Sequence, residues 1–497
     1  MGIALLVIYF AALTFILLYS LVQLHLAILY TRFQRRQKAA HEALPPMPAG
    51  KPWPMVTVQL PIYNELYVVE RLIDSIAAFD YPRELLEIQV LDDSTDETVD
   101  LVAAKVAALR AEGIDIAHIR RGSRQGFKAG ALKEGLGIAK GEFIAIFDAD
   151  FLPHPDFLRR IIPHFNDPGI GVVQTRWEHL NREYSLLTRL QAFGLDAHFS
   201  VEQQGRNAGG YFIHFNGTAG VWRRQAIDDA GGWESDTLTE DLDLSYRSQL
   251  KGWRFKFLEN LDSPAELPAA MGAIKSQQYR WTKGAAETAR KNLGKVLRAG
   301  LPFGTKVHAV FHLLNSTLFI CIVLNALLSV PLMFLLRHDS FVTMFAKYTS
   351  LFSASLLSSV LFFWASRLNR ALGRGISGLL RFIVTFPLFL SVTMGLSLHN
   401  AVATLEGFLG RKTPFIRTPK FAIKDGNDDW KKHRRYLSKR ISPVTILEGA
   451  LTLYFGMGVF LAIWNRNWGI LPFYMMLVFG YGLVFYYSLR HSLQASR

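Results

Sequence analysis

Residues 142–150 read Glu-Phe-Ile-Ala-Ile-Phe-Asp-Ala-Asp: an apolar run of strand length that ends on two aspartates, Asp148 and Asp150. Side chains two apart in an extended segment point the same way, so these carboxylates could share one divalent cation. Mg²⁺ and Mn²⁺ accept few protein carboxylates and take phosphate oxygens for the rest, which suits a metal–diphosphate. A plain acidic turn is the structural alternative. Outward from this stretch, the apolar runs 55–60 (MVTVQL), 85–91 (LLEIQVL) and 171–175 (GVVQT) alternate with amphipathic stretches at 64–79, 95–111 and 126–139. That rhythm predicts an α/β unit on a mostly parallel sheet over residues 55–265. Ligands of such sheets bind beyond the carboxyl ends of the strands, so the strand-end motifs carry the functional reading.

The first strand ends Pro61-Ile62-Tyr63-Asn64-Glu65. Pro61 and Tyr63 could shape a pocket and stack on a flat ring, or Asn64 could simply cap the next helix. The second ends Asp92-Asp93-Ser94-Thr95-Asp96-Glu97, where Ser94 and Glu97 have capping-box spacing. That leaves Asp92 and Asp93 for hydrogen bonding to a base or ribose. Lys128, in Gly126-Phe-Lys-Ala-Gly130, could meet a phosphate. Thr239-Glu240-Asp241 opens an amphipathic stretch, with Asp241 either a cap or a general base. Gln277-Gln-Tyr-Arg280-Trp281 opens a basic helix over about 271–297. Arg280 offers a fork for diphosphate and Trp281 a platform for a sugar ring. The polar face with Lys283, Arg290, Lys291 and Lys295 predicts a membrane-surface helix. There is no GxxxxGK[ST] loop, and Gly135, Gly137 and Gly141 miss the dinucleotide spacing by one residue. ATPase and dehydrogenase readings lose their main support.

Of the 497 residues, 50% are hydrophobic and 19% charged, against about 25% charged in ordinary soluble domains. Two regimes therefore share the chain. Residues 2–30 carry no charge, and Arg32, Arg35, Arg36 and Lys38 follow. This predicts an uncleaved anchor over 1–31 with its N-terminus outside and the following residues cytosolic. A basic, proline-rich linker (32–54) leads into the α/β unit, and 266–304 form the interfacial helices that carry Gln277, Arg280 and Trp281. From 305 to 497 the chain turns apolar, with spans expected at 308–336, 350–366, 443–464 and 470–489. Residues 376–398 are as apolar, but a crossing there would put loop 411–440 outside. That loop has eleven Lys/Arg against three Asp, so the expectation is five spans with 376–398 interfacial, and six as the alternative. The net charge of +14 thus marks the cytosolic face of a lipid bilayer and polyphosphate chemistry. Nucleic acid is not an expected partner, since no zinc-finger or RNA-recognition signature is present. Cys321 is the sole cysteine, which excludes a disulfide framework and a Cys-based zinc site.

Taken jointly, Asp92/Asp93, Asp148-x-Asp150, Thr239-Glu240-Asp241 and Gln277-x-x-Arg280-Trp281, in that order beside membrane helices, resemble the processive inverting glycosyltransferases of family 2. The cellulose, chitin, hyaluronan and mannan synthases belong there, and the likeness is strongest to the cellulose synthase-like A and C group and its bacterial relatives. It implies a Rossmann-like GT-A domain in the cytosol, inserted between transmembrane helices. Pro61, Tyr63, Glu65 and Asp93 would hold the nucleoside of a nucleotide sugar, UDP-glucose or GDP-mannose. Asp148 and Asp150 would meet the diphosphate and its Mg²⁺ or Mn²⁺. Asp241, flanked by Thr239 and Glu240, would deprotonate the glycan acceptor. Gln277, Arg280 and Trp281 would bind pyrophosphate and the acceptor end, and Phe215, Asn216, Gly217 and Thr218 would line the acceptor site. Phe415-Ile-Arg-Thr418-Pro-Lys420 resembles the family's FxVTxK gating loop, with Arg417 in place of Val. About eight residues follow the last expected span, too few for a PilZ domain. A lipid glucosyltransferase of the ceramide type is the alternative, with lateral lipid entry instead of a glycan channel.

Overall fold

The computed structural model describes residues 2–40, 47–48, 50–338, 352–367, 375–413, 417–423 and 441–496. Phe415 and most of loop 411–440 lie outside the described residues. Seven strands form one sheet: β1 (Val56–Ile62), β2 (Leu86–Asp92), β3 (Ile116–Ile119), β4 (Phe143–Ile146), β5 (Ile170–His179), β6 (Gly220–Arg223) and β7 (Arg254–Ala265), in the order β3-β2-β1-β4-β6-β5-β7. The pairs β1–β2, β1–β4, β2–β3 and β5–β7 are parallel, and β6 runs antiparallel to both β4 and β5. β2 and β4 are buried along their whole length, as befits strands covered on both faces; β4 is wholly apolar, whereas β2 carries Glu87, Gln89 and Asp92. The polar residues in these central strands are paired across it. Gln59 donates to Gln89 at 3.0 Å and Thr57 to Glu87 at 2.6 Å, which offsets their desolvation.

Helices α2 (Val69–Ala77), α3 (Thr98–Ala111) and α4 (Phe127–Ile138) fall in the three predicted amphipathic stretches. The predicted capping box does not form: α3 begins at Thr98 with no side-chain cap, and Ser94 Oγ instead accepts from the Asn64 backbone N–H at 2.8 Å. Asn64 does not cap α2 either; its Oδ1 accepts from Thr95 N–H at 2.9 Å. The two loops are thereby stitched together at the strand ends. α5 (Phe157–Ile161), α6 (Leu186–Ala197), α7 (Gln204–Ala208), α8 (Arg224–Asp229) and α9 (Glu240–Leu250) complete the domain. A π-helical turn, His198–Gln203, joins α6 to α7.

The remaining helices are α1 (Gly2–Ala40), α10 (Met271–Arg298), α11 (Phe303–Leu313), α12 (Thr317–His338), α13 (Ser353–Ser366), α14 (Gly375–Phe408), α15 (Pro443–Trp464) and α16 (Leu471–Ser496). Among the described residues, four helices can cross a bilayer by length and composition: Ile3–Gln37, Gly375–Phe408, Pro443–Trp464 and Leu471–Gln494. The pair α11/α12, bent by 63°, adds a fifth if it counts as one span, and α13 is shorter. α14 passes that test and packs on two sides: its middle closes on α16, where Gly395 meets Gly480 and Ser397 bonds Tyr481 at 3.0 Å, and other positions along it touch α6 and α10. Phe382 and Phe389 pack on Phe193 of α6, Glu406 accepts from Tyr279 of α10, and Gly407 abuts the Lys283 backbone. α1 is tied to the sheet through Glu259 of β7, which accepts from Tyr30 and from Gln34 at 2.7 Å each.

The basic face of α10 departs from the sequence expectation. Lys291 reaches Glu234, Asp236 and Asp243 at 2.5, 2.7 and 2.9 Å, so this acidic trio already holds an ammonium. Lys283 is fully buried and donates to Arg411 O and Thr413 Oγ1. Helical periodicity exposed the charges but could not say which partners would cover them. Lys275 makes a second buried tie, 2.6 Å from Glu448 of α15. Removing one partner of a buried pair strands the other charge, so Glu448→Ala should destabilise by about 3–5 kcal/mol. The double change Lys275→Met/Glu448→Leu should restore most of that. Melting of the detergent-solubilised protein checks both.

Candidate active site

Because β1, β2, β4, β5 and β7 run the same way, their C-terminal ends bring Tyr63, Asp93, Asp148, Trp177 and Glu266 to one edge of the sheet. β6 runs the other way and delivers Asn216 and Gly217 there from its N-terminal side. The result is a cleft of about 200 Å³, closed by α10 and by segment 417–423. Pro61, Tyr63, Glu65, Asp93, Lys128, Asp148, Asp150, Asn216, Gly217, Thr239, Glu240, Asp241, Gln277, Arg280, Trp281, Thr418 and Lys420 all line it. Asp92, Phe215 and Thr218 do not. Asp92 is turned inward, accepting from Ser94 N–H at 2.8 Å and facing His118 Nε2 at 2.9 Å. Phe215 belongs to the core. Thr218 supports the site from behind, its Oγ1 accepting from the Asp148 backbone N–H at 2.9 Å. Adjacent strand residues face opposite ways, and this divides Asp92 from Asp93.

At one end, Arg121 forks onto Asp93, with Nε 2.9 Å from Oδ1, and Arg124 lies 3.3 Å over the Tyr63 ring. Neither arginine was singled out from the sequence. Their one available signal was a basic cluster between β3 and α4, on the same side as the strand-end acids. In the middle, β4 stops at Ile146, and Asp148-Ala149-Asp150 forms a turn instead of the expected extended segment. Both carboxylates still reach the cleft. Lys128 Nζ sits 2.6 Å from Asp148 Oδ1 and 2.8 Å from Gly217 O. Burial pulls its ammonium down, but Asp148 and Glu240 more than offset this and it ends raised.

At the far end, Thr239 N-caps α9 without a side-chain bond, so the carboxylates of Glu240 and Asp241 are not consumed as caps. The Asp241 carboxyl is pushed up to about 7, by burial first and then by the Glu240 carboxylate beside it. Gly284 of α10 makes this approach possible, since a Cβ there would lie 2.5 Å from Thr239 Cγ2. The gate-like segment is threaded through the same groups. Arg417 forks onto Glu65 at 2.8 and 2.5 Å, Arg280 donates to Thr418 Oγ1 at 2.7 Å, and Lys420 Nζ lies 2.5 Å from Asp150 Oδ2. Phe421 and Ile423 are buried against Ala269, Ala270 and Ala273.

A mixed α/β sheet with strand-end carboxylates, a general-base candidate and a cationic roof defines a GT-A-type glycosyltransferase. Residues 54–284 match the model of "Glycosyltransferase like family 2". Glucomannan 4-beta-mannosyltransferase 9 of Arabidopsis thaliana is 33% identical over 453 residues, covering 87% of this chain and 80% of its own. Glucomannan 4-beta-mannosyltransferase 1 of Oryza sativa subsp. japonica is 37% identical over 342 residues, covering 64% and 66%. With glucomannan 4-beta-mannosyltransferase 2 of Arabidopsis thaliana the match reaches 44% but spans half of that protein. The chain belongs to glycosyltransferase family 2. Among solved structures, the mannosyltransferase PcManGT from Pyrobaculum calidifontis, in complex with GDP-Man and Mn²⁺, aligns with 21% identity and a TM-score of 0.48, covering 74% of this chain and 96% of that one.

Proposed function

We propose that the protein is a processive, inverting mannosyltransferase that extends a β-linked glycan from GDP-mannose and passes the product through its membrane helices. The observation that carries the reading is Lys128. One ammonium bonds Asp148 and the Gly217 carbonyl, and a Cβ on Gly217 would touch Asp241 at 3.0 Å. The diphosphate-side acid and the base are therefore one lysine apart, as a sugar-sized reacting group needs. The donor follows the names of the relatives, glucomannan 4-beta-mannosyltransferases.

Asp148 and Asp150 fit a divalent cation: both are carboxylates at the cleft, and each already binds an ammonium, of Lys128 and Lys420. When bound, Mg²⁺ or Mn²⁺ supplies charge neutralisation to the leaving diphosphate. Arg280 adds a fixed positive charge on the same side. Asp241 takes the proton of the acceptor hydroxyl as its oxygen attacks the anomeric carbon. The bond to the diphosphate breaks on the opposite face, so an α-linked donor gives a β-linked product. Lys420 and Arg417 hold donor-side carboxylates in the closed loop and would exchange them for the substrate's phosphates when donor enters.

The packing of α14 on α6 and α10 supports its lying at the membrane interface, with α1, α11/α12, 350–366, α15 and α16 as five spans and the catalytic domain in the cytosol. Purified full-length protein given GDP-mannose and Mn²⁺ should make an insoluble polymer that endo-β-mannanase degrades. Chelation should abolish synthesis, and Mn²⁺ should restore it. A product limited to a monoglycosylated lipid would reject the processive reading.

A further inference from the structure

Lys283 carries a fully buried ammonium whose hydrogen bonds go to a carbonyl and a hydroxyl. It donates to Arg411 O at 2.6 Å and to Thr413 Oγ1 at 2.5 Å, both in the segment that leaves the C-terminal end of α14. The Glu287 carboxylate, one turn further along α10, stands 3.9 Å away, outside hydrogen-bond reach. Taking an ammonium out of water is expensive, so a lysine bonded in this way is a poor source of stability. What it does is fix the place of Arg411 and Thr413. Other contacts secure the same junction. Gly407 lets α14 close on α10 here, since a Cβ on it would lie 2.6 Å from Lys283 O and 2.8 Å from Ala286 Cβ. Tyr279 donates to Glu406, which also accepts from Arg411 Nη1 at 2.9 Å. Glu287 in turn accepts from the Leu238 N–H at 2.8 Å, next to Thr239-Glu240-Asp241. Lys283 therefore stands between this segment and the loop that carries the base.

Just beyond Thr413 the same stretch of chain lines the cleft. Thr418 and Lys420 are buried there, Thr418 held by Arg280 at 2.7 Å and Lys420 by Asp150 at 2.5 Å, while Arg417 forks onto Glu65. Arg280 and Lys283 both belong to α10, so one helix grips the segment twice, at its root and inside the cleft. We infer that Lys283 is a positioning residue: it pins the root of the segment to α10 and so keeps Arg417 and Lys420 at the donor end of the cleft. Its effect on the donor rests on the transferase reading above; the pinning itself does not.

The test uses the full-length protein in nanodiscs and the variants Lys283→Met, Thr413→Val, Arg417→Ala and Lys283→Met/Arg417→Ala. Thr413→Val keeps the ammonium and removes one acceptor, so it carries the test if Lys283→Met does not fold. Without ligand, trypsin should cut after Arg417 and Lys420 about tenfold faster in Lys283→Met and about threefold faster in Thr413→Val than in wild type, because cleavage follows the population of the open segment. The GDP-mannose KM should rise about tenfold in Lys283→Met, with the β-1,4-mannotetraose KM unchanged within about twofold. If Lys283 acts through the segment, the double variant should have a GDP-mannose KM no higher than the worse of its two single variants. Additive losses would leave Lys283 a structural residue and overturn its positioning role. Wild-type cleavage rates in both Lys283→Met and Thr413→Val would overturn the pin. If wild-type protein transfers nothing, the transferase reading fails, and the cleavage series alone still decides the pin.

Discussion

Asp241→Asn is expected to lower kcat by about 10³-fold, the loss that removing a general base typically brings, while GDP-mannose still binds. Asparagine matches the carboxylate in size and keeps the first turn of α9, so the acceptor pocket should survive. What it cannot do is accept the hydroxyl proton. The pH profile follows from the same group. Its carboxyl is pushed up to about 7 by burial and by Glu240, and only the ionised form is a base. In wild type, kcat/KM should therefore climb about tenfold per pH unit below that value and level off above it. Stability should move the other way. A carboxyl whose folded pKa is raised above its unfolded value is ionised more easily in the unfolded chain, so above that unfolded value it opposes folding. Asp241→Asn should thus melt like wild type near the unfolded carboxyl value of about pH 4, and increasingly above wild type up to neutral pH, with a constant margin beyond. Transfer at near wild-type rate by this variant would remove Asp241 from the mechanism.

The contrast between neighbouring acids indicates what the sequence could and could not convey. Strand-end position was enough to bring Asp93, Asp148 and Asp150 to one cleft, because the topology of parallel strands fixes where their ends go, whereas Asp241, in the first turn of α9, was placed there only through the family resemblance. Strand periodicity separates Asp92 from Asp93 only when strand register is known, and Asp92 proved to be a partner of His118. Arg121, Arg124 and Trp177 were illegible for a different reason. Nothing in their local pattern distinguishes a surface arginine from one that forks onto Asp93. Arg417 stood out as a departure from the gating-loop pattern, yet its partner Glu65 lies 352 residues away in sequence. The helix α10 was placed correctly and its face misread, since charge periodicity gives a direction but not the identity of what packs there. The π turn His198–Gln203 has no sequence signature, although its His198 and Gln203 reach Asn216 of the cleft.

Gly217→Ala should lower kcat/KM by about 10²-fold, comparable with the loss from a misplacement of about 1 Å at a reacting centre. Two effects act together there. Gly217 has φ +79°, and an alanine in the left-handed region costs about 1–2 kcal/mol. Its methyl would also stand 3.0 Å from Asp241 Oδ2 and 3.4 Å from Lys128 Nζ, pressing on the base and on the ammonium that bonds Asp148. Gly210→Ala separates the two effects, because Gly210 has φ +68° and nothing within 4 Å of the added carbon. Both variants should lose similar stability on heating, and only Gly217→Ala should lose turnover. Its loss should appear in kcat for both elongation and donor hydrolysis, since on the proposed mechanism Lys128 and Asp241 would flank the same anomeric carbon. Equal and small kinetic effects at the two glycines would mean that Asp241 and Lys128 do not converge on the reacting sugar.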